Sequence, residues 1–222
     1  IWEDEGQTAV VATNILAHGV PAASDGKNLV TIFPDHRDIR DGIYIWQGWA
    51  PTYLAAASIA TFGRNAFGAR FPFAATFVAL IAFYYFFLQK WRGGRNRHLW
   101  LTIGLTLTCV PMLVHARQCR YYALIPLLNL LVIDAYLDCL KTPRLRHWLK
   151  LGLWATLLVH SFLPGAFLLA LALGLDLISR ETGREPRERI VGGERVDGHG
   201  VFRWLVARGV GEHEELARSA TA

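Results

Sequence analysis

The sequence predicts an all-α protein, a multi-spanning transmembrane helix bundle with juxtamembrane helices in an extracytoplasmic loop. Three observations predict it. Four long apolar runs, Phe71–Leu88, Leu99–Val114, Tyr121–Ile133 and Leu149–Ile178, occupy the middle of the chain. The first carries no charge over about 18 residues, near the roughly 20 that cross a hydrocarbon core of about 30 Å. Basic clusters fill the gaps: Lys90, Arg92, Arg95 and Arg97, then Lys141, Arg144, Arg146 and Lys150, then Arg180, Arg184, Arg187 and Arg189. Finally, 53% apolar residues and a mean hydropathy of +0.26 are high for a soluble domain.

The net charge of +5 raises nucleic acid as a partner, but binding there requires one contiguous basic face. Regularly spaced basic gaps instead mark cytoplasmic loops of a membrane protein, so nucleic acid is excluded and membrane lipids are the expected surroundings. The three cysteines, Cys109, Cys119 and Cys139, have no zinc spacing and read as small apolar fillers.

Topology follows by parity. With the basic gaps inside, residues 1–70 form an extracytoplasmic loop, and residues 1–45 carry Glu3, Asp4, Glu5, Asp25, Asp35, Asp38 and Asp41 against Lys27, Arg37 and Arg40. Within it, Thr8–Ala17 has apolar residues at helical spacing and ends at His18-Gly19. Gly19–Asp41 has Gly, Pro and Asp turn chemistry. Tyr44–Phe62 is a moderately apolar helix with Trp46, Trp49 and Tyr53 placed for the headgroup level.

Residues 71–179 form the bundle, with about five helices expected at 71–89, 99–115, 121–140, 148–161 and 163–179. The last two are arms of a hairpin broken at His160-Ser161-Phe162-Leu163-Pro164-Gly165, each short for a full crossing. The turn His115-Ala-Arg117-Gln-Cys-Arg120 must then share the outer side with the acidic start of the chain. Residues 180–222 are a polar cytoplasmic tail, with one short amphipathic helix over Val201–Val210 as a further reading. The chain begins with Ile1, and an acidic outer segment must be delivered across the membrane, so at least one upstream helix is expected and the chain is read as a fragment.

Several residues stand out chemically. Asp4 with Gln7 three positions on fits a capping box, a role that also fixes a carboxylate's direction. Arg117 and Arg120 lie one turn apart on the outer side, against the usual bias. Interfacial anchoring explains them, and so does recognition of a lipid phosphate, since a guanidinium offers a planar two-pronged donor. His115 and His160 are weaker candidates.

Certain motifs resemble a known family. Asp4-Glu5 through Gly19 is similar to the acidic opening of the first outer loop in the dolichyl-phosphate-mannose-protein mannosyltransferase family, which includes aminoarabinose transferases acting on lipid A. Trp49-Ala-Pro51-Thr-Tyr53-Leu54, running to Thr61-Phe62-Gly63, resembles its juxtamembrane helix. Phe67-Gly68-Ala69-Arg70-Phe71-Pro72 resembles the start of its next transmembrane helix, and His115 through Leu124 its arginine-bearing turn. Ala50 replaces a lysine often found there, and a Pro pair is reduced to Pro51.

The resemblance, over roughly residues 2–179, implies a truncated GT-C fold in a bacterial inner (plasma) membrane, with its active site facing outward. It implies an inverting glycosyltransferase that uses a polyprenyl-phosphate sugar donor and a protein, lipid or glycan acceptor hydroxyl. Asp4 would be the base and Glu5 would orient it or the acceptor. Arg117 and Arg120 would hold the donor phosphate, with Tyr121 and Tyr122 bonding donor oxygens. No cofactor is required, although Glu3, Asp4 and Glu5 leave a divalent metal open. The alternatives are a transporter or assembly-subunit fragment, or an oligosaccharyltransferase-like enzyme with a metal. In the glycosyltransferase reading, Asp4 and the two arginines should converge on one outward-opening cavity.

Overall fold

In the computed structural model, residues 3–92 and 96–182 are described. They are mostly helical. Among the described residues, eight α-helices run α1 Glu3–His18, α2 Trp49–Phe62, α3 Ala66–Arg92, α4 Asn96–Thr108, α5 Val110–Ala116, α6 Leu124–Lys141, α7 Leu145–Val159 and α8 Leu163–Thr182. The chain divides into two compact units, residues 1–167 and 168–222. In the second, only the rest of α8 is described, where Asp176 accepts from Arg180 one turn later at 2.6 Å. The expected helix over Val201–Val210 lies outside the described residues.

Among the described residues, three helices are long and apolar enough to cross a membrane: Ala66–Trp91, Tyr121–Lys141 and Leu163–Arg180. The expected crossing at 99–115 is instead two helices, of 13 and 7 residues. Pro111 explains the break, because its ring lacks an N–H and collides with the carbonyl four residues earlier, so α4 stops at Thr108 and Cys109 is extended. At 15 residues, α7 is shorter than a typical span.

The loop between α1 and α2 contains a hairpin that the sequence reading did not anticipate. β1 (Ile39–Arg40) and β2 (Ile43–Tyr44) pair antiparallel around Asp41 and Gly42. Both turn residues have positive φ, +52° and +78°, the backbone of a type I′ turn, which an Asp-Gly pair adopts readily. Buried Tyr44, Val30 and Ala23 pack on Val11 of α1. Asp38, also buried, accepts from the Ile32 amide at 2.7 Å and the Thr31 hydroxyl at 2.8 Å, which secures the loop.

Two further cores join the helices of the first unit. One joins Ala12 and Ile15 of α1, Ala55, Ala56 and Ile59 of α2, and Ala69 and Phe73 of α3 to Cys119 and Ala123. Alanine dominates where α1 and α2 meet, so the backbones come close. The other packs Phe77, Leu80 and Phe87 of α3 against Ala116 of α5 and Leu130 of α6.

Charged contacts fix the ends. Arg70, near the start of α3, pairs with Glu5 of α1, and that carboxylate also accepts from the Cys119 amide just before α6. At the other end of α3, Lys90 meets Asp134 at 2.8 Å and Asp138 at 2.6 Å on α6, while Lys150 of α7 reaches Asp134 at 2.8 Å. Consequently α3 and α6 run parallel and α7 returns antiparallel. Along α3, Arg70 and Lys90 are about 30 Å apart at 1.5 Å per residue, the thickness of a hydrocarbon core.

Candidate functional site

The end of the bundle that carries α1 holds two clefts. Three long-range contacts dock the start of α1 at this end, to Arg70, to the Cys119 amide and to Gln47. Glu5 is only 3% exposed. The Arg70 fork donates to both its oxygens, Nε to Oε1 at 3.1 Å and Nη2 to Oε2 at 2.7 Å. The Cys119 amide adds a bond to Oε1 at 2.9 Å across 114 residues of sequence. One turn later, Thr8 accepts from Gln47 Nε2 at 3.3 Å.

The smaller cleft, about 320 Å³, is lined by Glu5 and Arg70 together with Thr13, Asn14, Asp25 and Arg64. Asp25 is held at about pKa 2 because the Asn28 and Lys27 amides and the Asn28 side chain donate to it. Burial pushes the Cys119 thiol up to about 12, and the neighbouring Glu5 carboxylate adds to the effect while Arg70 and Arg120 oppose it. Cys119 is therefore a neutral thiol there.

The larger cleft, about 500 Å³, lies between residues 45–49, Arg120 and Tyr121, and residues 159–164. Arg120 is only 7% exposed, with its guanidinium carbon 5.9 Å from the Tyr121 ring centre. Tyr121 stacks on Phe162, with centroids 5.1 Å apart and planes 14° apart. The loop entering α2 is fastened to the α7–α8 turn by the Ala50 amide, which donates to the His160 carbonyl at 3.0 Å. Gly48 lies so close to that carbonyl that any Cβ would collide with it. The result is an aromatic-walled cleft with one guanidinium inside.

The structure therefore distributes the sequence candidates unevenly. Glu5 lines the small cleft, while Arg120, Tyr121 and His160 line the large one. Arg117 is exposed and lines neither. Tyr122 and His115 form a ring contact at 4.5 Å beside the large cleft, with His115 Nδ1 3.0 Å from Gln118 Oε1. Position 4 is in the first turn of α1, and the side chains of Glu3 and Asp4 lie outside the described residues. Among the described residues, no three His, Cys, Asp or Glu side chains gather in a geometry that would hold a metal.

Sequence reasoning missed Arg70 as a site residue. A signal existed, since Arg70 stands immediately before an apolar run on the side with few basic residues. It also missed Trp46, Gln47 and Trp49 as cleft walls, having placed the tryptophans only at the headgroup level. Set against family models, curated proteins and solved structures, the chain matches none of them.

Proposed function

We propose that this chain belongs to a membrane glycosyltransferase of the GT-C type that moves a sugar from a polyprenyl-phosphate donor to an acceptor hydroxyl with inversion. The observation that carries this reading is the Thr8–Gln47 bond. Gln47 is a wall of the cleft that holds Arg120, and by the four-residue repeat of a helix, position 4 falls on the Thr8 face of α1. An acid and a guanidinium would then serve one cavity, as a base and a phosphate clamp must.

In this mechanism the acceptor oxygen attacks the anomeric carbon from the face opposite the phosphate. The new C–O bond forms as the sugar–phosphate bond breaks, and Asp4 takes the hydroxyl proton. The electron pair leaves with the lipid phosphate, whose growing charge the buried Arg120 stabilises. Tyr121 and Tyr122 offer hydroxyls to donor oxygens. Glu5, committed to Arg70 and Cys119, acts as the post that orients the first turn of α1. Arg117, exposed beyond the cleft, supplies a second positive charge to the approaching donor. The Glu5 end of the bundle would face outward and the Lys90 end the cytoplasm, in keeping with the basic gaps.

The test is transfer from a polyprenyl-phosphate sugar by the protein in native membranes. Asp4→Asn keeps most capping ability but cannot accept the proton, and should reduce turnover by about 10²–10⁴-fold. Arg120→Lys keeps the charge but loses the fork, and should raise the donor KM. Undiminished turnover by Asp4→Asn would remove it as the base.

A further inference from the structure

We infer that the corner between α2 and α3 is a lipid-leaflet anchor, with Phe62, Phe67 and Phe71 seated at the acyl boundary and Arg64 on a phospholipid phosphate. The inference rests on the membrane reading of α3 and is independent of sugar transfer.

The three rings form one exposed cluster, with centroid separations of 5.4, 4.8 and 5.3 Å. Phe67 is 59% exposed and Phe62 42%, an unusual display for three phenylalanines in contact. Phe67 and Phe71 also begin a stripe. Exposed Ala75, Val78, Ala82 and Tyr85 follow at spacings of three and four down α3, while Phe73, Phe77 and Leu80 on the opposite face are buried in protein. An apolar stripe along a helix of spanning length is the surface that acyl chains cover. The phenylalanine cluster is the continuation of that stripe at the Arg70 end.

The corner is built to hold its shape. Gly63 takes φ +86°, a conformation in which a side chain would be strained. The Asn65 side chain donates to the Phe62 carbonyl at 2.9 Å and accepts from the Gly68 amide at 2.8 Å, closing the turn and capping α3. Gly68 packs against the Gly63 carbonyl, where a Cβ would have no room. Arg64 is exposed at the apex, one residue from this brace. At the level where an acyl-facing stripe ends, the abundant anion is the lipid phosphate, and a guanidinium beside aromatic rings suits that boundary. Arg64 also lines the small cleft, so the anchor would set that cleft's mouth at the headgroup level.

The experiment is nitroxide scanning of the whole chain in bilayers of phosphatidylcholine and phosphatidylglycerol, with Cys109 replaced by alanine and one new cysteine at a time. Phe67→Cys and Phe71→Cys should collide more with oxygen than with an aqueous nickel chelate, as should Val78→Cys in mid-stripe, while Asp35→Cys shows the reverse. Adding Arg64→Glu should shift the Phe67→Cys ratio toward the aqueous side. Nickel access at positions 67 and 71 with oxygen preference kept at 78 overturns the anchor alone. Nickel access at 78 as well overturns the membrane reading beneath it. Low access to both reagents at 67 means that protein covers the corner, which also overturns the proposal. An unchanged ratio with Arg64→Glu removes the phosphate contact.

Discussion

Arg70 holds Glu5 through both arms of its guanidinium while the Cys119 amide donates to the same carboxylate, so a single acid ties α1, α3 and the turn before α6. Removing the guanidinium leaves a charge buried without its counterion. We expect Arg70→Met to cost about 2–3 kcal/mol, at the low end for buried pairs because Arg70 is 39% exposed. Adding Glu5→Gln should recover part of that loss. Thermal unfolding in detergent measures both.

Gly48 has an ordinary φ of −59°, so its glycine is required by proximity to the His160 backbone and not by conformation. Gly48→Ala should push α2 away from the α7–α8 turn and break the Ala50–His160 bond, at a cost of about 1–3 kcal/mol. Amide exchange should quicken at Ala50 while the α3–α6 amides stay protected.

Two ammonium groups at the Lys90 end, those of Lys90 and Lys150, share the carboxylates of Asp134 and Asp138, with the Trp91 indole donating to Asp134 at 2.9 Å. Asp134 is 3% exposed. Asp134→Asn should leave Lys90 and Lys150 competing for Asp138 and destabilise the bundle by about 3 kcal/mol. Because these charges satisfy one another, Asp134→Asn should leave ion leakage unchanged. A lowered melting temperature with no change in ion leakage from proteoliposomes checks both statements.

Stability should fall at both extremes of pH. Asp38 pays a desolvation penalty that opposes its ionisation, but the Ile32 amide and the Thr31 hydroxyl more than offset it, so its pKa lies below the ordinary value. A lowered carboxylate pKa stabilises the fold above the unfolded value of about 3.9 and ceases to do so as pH falls through the folded value. Cys119 has the opposite sign: its neutral thiol stabilises fully below the unfolded pKa of about 8.5, and the contribution fades as pH rises toward about 12. Iodoacetamide should leave Cys119 unmodified near pH 8 until the protein unfolds, as mass spectrometry would show.

The two ends should lie on opposite sides of a membrane. A cysteine in place of exposed Arg117 should react with an impermeant maleimide in intact cells, and one in place of exposed Arg144 only after lysis. Labelling of position 144 from outside would invert the assignment.

Much of this arrangement was legible in the sequence for local reasons. The uncharged run 71–88 had to become a long helix, and α3 extends it to Ala66–Arg92. His160-Ser161-Phe162 was readable as a break because Pro164 and Gly165 follow it, and α7 ends at Val159 with α8 beginning at Leu163. The interruption at Cys109 was also encoded, by Pro111, but an apolar run conceals a break that changes no hydropathy. What could not be read was pairing across distance. Nothing local at Glu5 announces Arg70 or the Cys119 amide, and nothing at Lys90 announces Asp134. The meeting of the acidic start with the 117–120 turn was expected from parity alone, whereas the partition of the candidates between two clefts depends on helix rotation, which composition does not determine.

Held by Glu5 near its first turn and by Asp134 and Asp138 near its last, α3 is a rod clamped at both ends. A sliding stroke along its axis would have to break two sets of buried charge pairs at once. An opening that admits a long-chain molecule would instead work against the wall at residues 45–49, which neutral hydrogen bonds hold: the Ile45 amide to the Asp38 carbonyl, Gln47 to Thr8, and the adjoining Ala50 amide to the His160 carbonyl.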